Sequence, residues 1–340
     1  MKSSSRRASL ALAAACLLAP HAHAATAAYH FVDLGKLSEG NGVNAHKQVA
    51  GKFQYQPAVH AADGWHVLAA DAQGWAAGLD ALGNAAGNVY DSNSEAYVGY
   101  YWPTTGGSVP ILVPQEFPYH DPFVYAVAPD GTVVGSVTDV RVTSDCFLWR
   151  AGDAHLRPLS TGLFCEPHAI VSHRLFAGTG STSNDAPLQA FLWDGTQFHW
   201  LAGLGGIGSD GFGLNKDGVV VGEAWTPAGA NGVGVLHATV WPDTSSAPVD
   251  LGTLPGKAWS QAYAINGAGV VVGSSSDVGR QNAIAFVVRD GVMTDLNTLV
   301  DDAHGMVLTA PHDINDKGVI VGSDMFKGAE HGWMLVPIAQ

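Results

Sequence analysis

The chain has 340 residues, with 30 acidic against 16 basic side chains, a formal net charge of −14, 42 glycines and 47% hydrophobic residues. It lacks the basic footprint that neutralises phosphates, which argues against nucleic acid and anionic membrane surfaces as partners. Abundant glycine with little charge suits a sheet protein with many tight turns.

In chain order, residues 1–24 read as an export signal. Lys2, Arg6 and Arg7 precede an apolar run at 8–18, and Ala22-His23-Ala24 supplies a small-x-small cleavage site. Its removal takes away three positive charges and leaves residues 25–340 at −17. Ser5-Arg6-Arg7 resembles the start of a twin-arginine signal, but Ser9 stands where that motif carries Phe, so the general secretory route is favoured. Cys16 is not read as a lipid anchor, because Ala13 replaces the lipobox Leu and the apolar run continues past the cysteine. No later stretch approaches the ~20 apolar residues of a bilayer span. A secreted or periplasmic protein is expected, and in an oxidising compartment Cys146 and Cys165 would form a disulfide. Closing a loop of about 20 residues is worth ~3 kcal/mol.

The mature chain is repetitive, and the clearest copy lies at 249–296, VDLGTLPGKAWSQAYAINGAGVVVGSSSDVGRQNAIAFVVRDGVMTDL. Four short apolar runs, at 249–254, 261–265, 270–272 and 283–288, are separated by Gly, Asn, Asp and Ser. Runs of that length between turn residues predict strands, and four per repeat predict a β-propeller blade. Seven copies align on Gly51, Gly87, Gly135, Gly178, Gly222, Gly273 and Gly322, spaced 36 to 51 residues apart. Eight residues before these glycines stand Val43, Leu79, Val127, Ile170, Leu214, Ile265 and Ile314, all apolar. Nine before stand Gly42, Gly78, Ala126, Ala169, Gly213, Ala264 and, as the exception, Asp313. One face of this strand is bulky and the other nearly bare, which lets adjacent blades approach.

Asn44, Asn215, Asn266 and Asn315, with Asp80, open the following turn, where a short polar side chain bonds its own backbone. The turn glycine is replaced by Lys47 and Arg174 in two copies, so those turns are expected to be strained or differently built. Aromatics in the third strands, such as Phe147, Trp149, Phe191, Trp193 and Trp333, are assigned to packing between blades. The seventh copy lacks a fourth strand and the N-terminus has a spare one at 32–37. Pairing it with the C-terminal strand closes a ring of seven blades, a single domain expected to be monomeric, and leaves no raw sheet edge. Six blades is the alternative if the short first copy fails to form one.

The segments DLGTLPG, AYAIN, GVVVG, AF and GVMTDL within 250–296, with HDINDKGVIVG at 312–322 and GLNKDGVVVG at 213–222, resemble the HAF-type extracellular repeat of exported bacterial proteins. The resemblance implies a propeller-like, exported protein and carries no catalytic residue set.

If the strand at 262–266 is innermost, the segments leading into its equivalents open beside a central channel. They carry Glu39, His120, Asp121, Glu166, His168, Asp210, Trp259, Asp301, Asp302 and His304. His168 and His312 share one column with Tyr125, Phe212 and Tyr263. Such carboxylates and imidazoles suit a divalent cation or a general acid and base, although solvated polar residues are also ordinary at a propeller mouth. Asp91-Ser92-Asn93-Ser94-Glu95 lacks most of a calcium loop and reads as a polar hairpin. No Gly-x-Ser-x-Gly, His-Glu-x-x-His or phosphate-binding glycine loop occurs. The expected function is non-catalytic binding of a protein, glycan or envelope component. The alternative is a propeller lyase or hydrolase on a small or saccharide substrate, using His120, Glu166, His168 and His304.

Overall fold

Each repeat folds into one four-stranded antiparallel sheet, and there are seven. The computed structural model describes residues 27–115, 122–138, 144–159, 164–183, 186–229 and 234–338, so the export signal expected at 1–24 lies outside the described residues. The innermost strands are Ser38–Val43, Gly74–Leu79, Phe123–Val127, Phe164–Ser172, Ser209–Leu214, Trp259–Ile265 and Pro311–Ile314. Each contacts the innermost strand of the next sheet and the seventh returns to the first, giving a seven-bladed β-propeller numbered here in that order. Blade 1, the shortest copy, is complete, with Gln56–Ala61 and Gly64–Val67 as its outer strands.

The ring closes as the spare strand requires. Tyr29–Lys36 is the outermost strand of blade 7 and pairs antiparallel with Ala329–Pro337, with Val32 opposite Met334. Between blades the third-strand aromatics Phe147, Trp149, Phe191, Trp241, Phe286 and Trp333 are buried. One cluster joins Tyr101 and Ala86 of blade 2 to Val124, Phe147 and Trp149 of blade 3, so these rings are inter-blade core. The bare column lies against the neighbouring backbone. A Cβ on Gly42 would sit 3.4 Å from the Gly78 Cα, and one on Gly213 only 2.9 Å from the Ala264 Cα.

Asp313 breaks that column to make a clamp. One carboxylate oxygen accepts the Val43 N–H of blade 1 at 2.8 Å and the other accepts the Ile314 N–H at 2.8 Å. Burial pushes its pKa up to about 6, and the two backbone donors and His312 only partly offset that.

The turn asparagines do what the sequence predicts and something more. The Oδ1 of Asn44, Asn215, Asn266 and Asn315 accepts N–H groups two and four residues ahead. Their Nδ2 groups reach the next blade: Asn215 donates to the Asn266 carbonyl, Asn266 to Asn315, Asn315 to Asn44, and Asn44 to Asp80, at 2.8 to 3.3 Å. This belt crosses four blade interfaces and ends at Asp80, whose carboxylate has no proton to donate.

Both unusual turns resolve differently. Lys47 adopts a left-handed φ of 64°. In blade 4 the first strand instead extends to Ser172, and the chain turns through His173 and Arg174 into Leu175–Ser181.

Cys146 in blade 3 and Cys165 in blade 4 form the disulfide, with Cα atoms 5.2 Å apart. No helix among the described residues is long and apolar enough to cross a membrane.

Candidate functional site

The channel is built by a bulge repeated in every blade. Pairing of the first two strands shifts register between Gly40 and Gly42, Ala76 and Gly78, Val124 and Ala126, Pro167 and Ala169, Gly211 and Gly213, Ala262 and Ala264, and Pro311 and Asp313. The extra residue is left unpaired and re-aimed. It is Asn41, Ala77, Tyr125, His168, Phe212, Tyr263 or His312, and all seven line a channel of about 470 Å³. The glycine on which the repeats align faces this bulge. A Cβ at Gly51, Gly87, Gly178, Gly222 or Gly273 would overlap the carbonyl oxygen of Glu39, Trp75, Glu166, Asp210 or Gln261.

Around this ring the sequence column becomes physical contact. Tyr125 and His168 have ring centroids 5.4 Å apart, His168 and Phe212 5.4 Å, and Phe212 and Tyr263 6.0 Å. His312 stands apart from this arc and bonds the Gly40 carbonyl through Nδ1 at 2.9 Å.

Two residues earlier on each strand lies a second tier at the mouth. It contains Glu39, Trp75, Phe123, Glu166, Asp210 and Gln261. On the side of blades 1 to 3 a recess of about 430 Å³ is lined by Glu39, Asn41, Lys52, Trp75, Phe123 and Tyr125. Trp75 and Phe123 are 5.7 Å apart, and Phe123 and Tyr125 4.9 Å. Facing these rings, Lys52 Nζ lies 2.7 Å from Glu39 and 3.0 Å from Glu330.

On the side of blades 4 to 6 the mouth is acidic. Burial raises the Glu166 pKa, the bond from the Tyr125 hydroxyl lowers it, and Asp210 raises it again. Burial likewise raises Asp210, against a bond from Thr179 and the charge of Arg280. Glu223, on the second strand of blade 5 opposite Asp210, is almost wholly buried. Burial pushes it up to about 7 despite Arg280, whose Nη2 is 3.0 Å from Oε1, and despite a contact with the Gln261 side chain. His168 is held down to about 4 by burial, so the ring is neutral at neutral pH. Its 3.9 Å contact with Glu166 is therefore that of a neutral ring with a carboxylate.

The structure brings some sequence candidates together and separates others. Glu166 and His168 meet, and Asp210 joins them, but all three lie on innermost strands and not in loops before them. Trp259 begins the blade 6 innermost strand and contacts Trp225 at 6.0 Å. Asp301, Asp302 and His304 do not join this group. Asp301 bonds His30 at 2.6 Å, Asp302 pairs with His304 at 3.2 Å, and His304 packs on Phe31, all beside the outermost strand of blade 7. The reason is that residues 296–310 run back along the blade 6–7 interface, burying Leu296, Met306 and Leu308. His120 and Asp121 lie outside the described residues. Among the described residues no cluster of three or more His, Cys, Asp or Glu side chains is placed to hold a metal ion. The site also contains Trp75, Phe123, Lys52, Glu223 and Arg280, which sequence reading missed. For Trp75 and Phe123 the available signal was their position four residues before the bulky column, shared with Glu39, Glu166 and Asp210.

No protein-family model and no curated protein matches the chain. Among solved structures it is similar to hydrazine synthase of Kuenenia stuttgartiensis, at 11% identity and a TM-score of 0.49, covering 73% of this chain and 42% of that one. It is also similar to a puromycin-hydrolyzing peptidase of Mycobacterium tuberculosis, at 14% identity and a TM-score of 0.49, covering 79% and 45%. A third similar structure is the β-propeller domain of the Trilobed protease of Pyrococcus furiosus, at 9% identity and a TM-score of 0.38, covering 79% and 95%. The chain spans less than half the length of the first two.

Proposed function

We propose that this is an exported, non-catalytic binding propeller that takes a carbohydrate at the channel mouth. The observation that carries the reading is the recess where Trp75, Phe123 and Tyr125 face Glu39, Lys52 and Asn41. A sugar ring has C–H groups on its faces and hydroxyls round its edge. An aromatic face attracts the former, while carboxylate, amide and ammonium groups bond the latter. Concave sites with aromatic walls and a few converging polar groups are the usual form of a small-ligand site. The HAF-type resemblance, the signal-like residues 1–24 and the disulfide support export.

Screening the mature protein against a glycan array, followed by calorimetry on the hits, tests this reading. Trp75→Ala should weaken binding at least tenfold, about 1.4 kcal/mol. An array without hits leaves the reading unsupported.

The enzyme reading has one observation in its favour, the buried Glu223 pushed up to about 7 beside Asp210 and Glu166. A carboxyl group that holds its proton near neutral pH is what a general acid requires. Cleavage of a bound glycan, lost in Glu223→Gln while binding persists, would establish it. Intact glycan recovered after prolonged incubation supports binding alone.

A further inference from the structure

Eight rings form an unbroken path across the mouth. Tyr90 and Tyr97, paired at the tip of blade 2, are 39% and 37% exposed and 5.4 Å apart. Tyr97 is 4.8 Å from Trp75, Trp75 is 5.7 Å from Phe123, and Phe123 is 4.9 Å from Tyr125. From Tyr125 the arc continues through His168, Phe212 and Tyr263 into the channel. The outer part lies outside the inter-blade core, where the buried aromatics sit, and Tyr90 and Tyr97 stay partly exposed.

The charge along the path is one-sided. Glu39 is matched by Lys52 and Glu223 by Arg280. Among the described residues no lysine or arginine lies within ion-pair distance of Glu166 or Asp210; the charge of Arg280 reaches Asp210 from further off, and Glu166 contacts His168 and the Tyr125 hydroxyl. Two carboxylates thus flank the inner end of the path without a matching cation within ion-pair distance. Partial burial makes an arriving ammonium group worth more there than in open water.

We infer that the path is a track for a linear glycan bearing free amino groups, with its innermost unit on Tyr125 and its amine facing Glu166 and Asp210. The inference rests on the carbohydrate reading above and adds length, direction and charge. Successive ring spacings of 4.8 to 5.7 Å are comparable with the advance per unit of an extended pyranose chain, and because neighbouring rings are tilted 57° to 66° to one another, each further unit meets a further ring by its face or its edge. An ammonium is drawn both to the carboxylates and to the face of Tyr125. An anionic glycan is repelled by residues 25–340, which carry a net charge of −17.

The test is calorimetric titration of the mature protein with chitosan oligomers of one to six units and with the matching N-acetylated series. Affinity should rise at least tenfold from one unit to five and then level off, with the free-amine series the tighter. Tyr97→Ala, at an exposed position where thermal unfolding should stay unchanged, should stop the rise at three units and spare the shorter oligomers. Glu166→Gln should remove the preference for the free amine and keep the rise with length. Affinity flat with length, an unaffected tetramer in Tyr97→Ala, a preference for the acetylated series, or binding of other glycans but of neither series would each overturn the track while the carbohydrate reading stands. Failure to bind any glycan overturns both.

Discussion

At the scale of single residues, the site is set by which polar groups the fold buries without full compensation. Asp313 shows the logic, since its carboxylate replaces a missing small residue and ties blade 7 to blade 1 through the Val43 N–H. Its pKa rises from 3.8 to about 6 on folding, so the native state binds the proton more tightly than the unfolded chain. The sign follows from linkage: its contribution to stability is complete below pH 3.8 and is lost as pH rises through about 6. Asp313→Asn, which cannot ionise, should flatten the fall in urea midpoint across that window relative to the parent. A parallel decline in both proteins would assign the slope to other groups. Asp313 was visible in the sequence as the odd member of a Gly/Ala column, but its partner was not, because the bond depends on how closely two blades approach.

At the scale of the strand, one glycine and one bulge act as a unit. Gly178 faces the Glu166 carbonyl so closely that a Cβ would overlap it, and would lie 2.7 Å from the Pro167 Cα. Gly178→Ala should therefore push back the strand that carries Glu166 and His168, costing about 1–3 kcal/mol as overpacking does. Gly203, where an added Cβ meets nothing closer than 3.9 Å, is the control. Its alanine variant should stay within ~0.5 kcal/mol. Chemical denaturation of both, with ring-proton spectra of Tyr125, His168 and Phe212, checks energy and geometry together. The sequence showed the aligned glycines and the His168 column, but not that the one permits the other, since a bulge leaves no composition signal. The mouth was legible only in part for the same reason. Asp301 and His304 precede an innermost strand in sequence, yet Leu296, Met306 and Leu308 draw that segment into the blade 6–7 core, and Asp301 pairs with His30. Trp75 and Phe123 sit on strands whose alternation was read for the core and not for the channel.

At the scale of the whole molecule, the fold was legible because its signals are local and repeated. Spacing gave the blades, and the spare strand now seen at Tyr29–Lys36 gave the closure. The asparagine belt was half legible: a bond to one's own turn follows from residue type, whereas the donor half needs the next blade in place. The disulfide between blades 3 and 4 should contribute about 3 kcal/mol. Cys146→Ser, or reduction of the parent, should lower the denaturant midpoint accordingly, and unchanged midpoints would deny it that role. The belt and the cystine also divide the work between them. Asn215, Asn266, Asn315 and Asn44 fasten the joints from blade 5 round to blade 2, including both joints of blade 7, the sheet in which the two terminal strands pair. The joint between blades 3 and 4 carries no such amide and holds the cystine, with Ser144 bonding Cys165 beside it. The covalent tie at that joint answers to the redox state of the surroundings, whereas the amide belt does not. In a reducing compartment blades 3 and 4 are left to the Ser144–Cys165 bonds and the buried cluster they share, while the amide-sewn joints keep every tie they have.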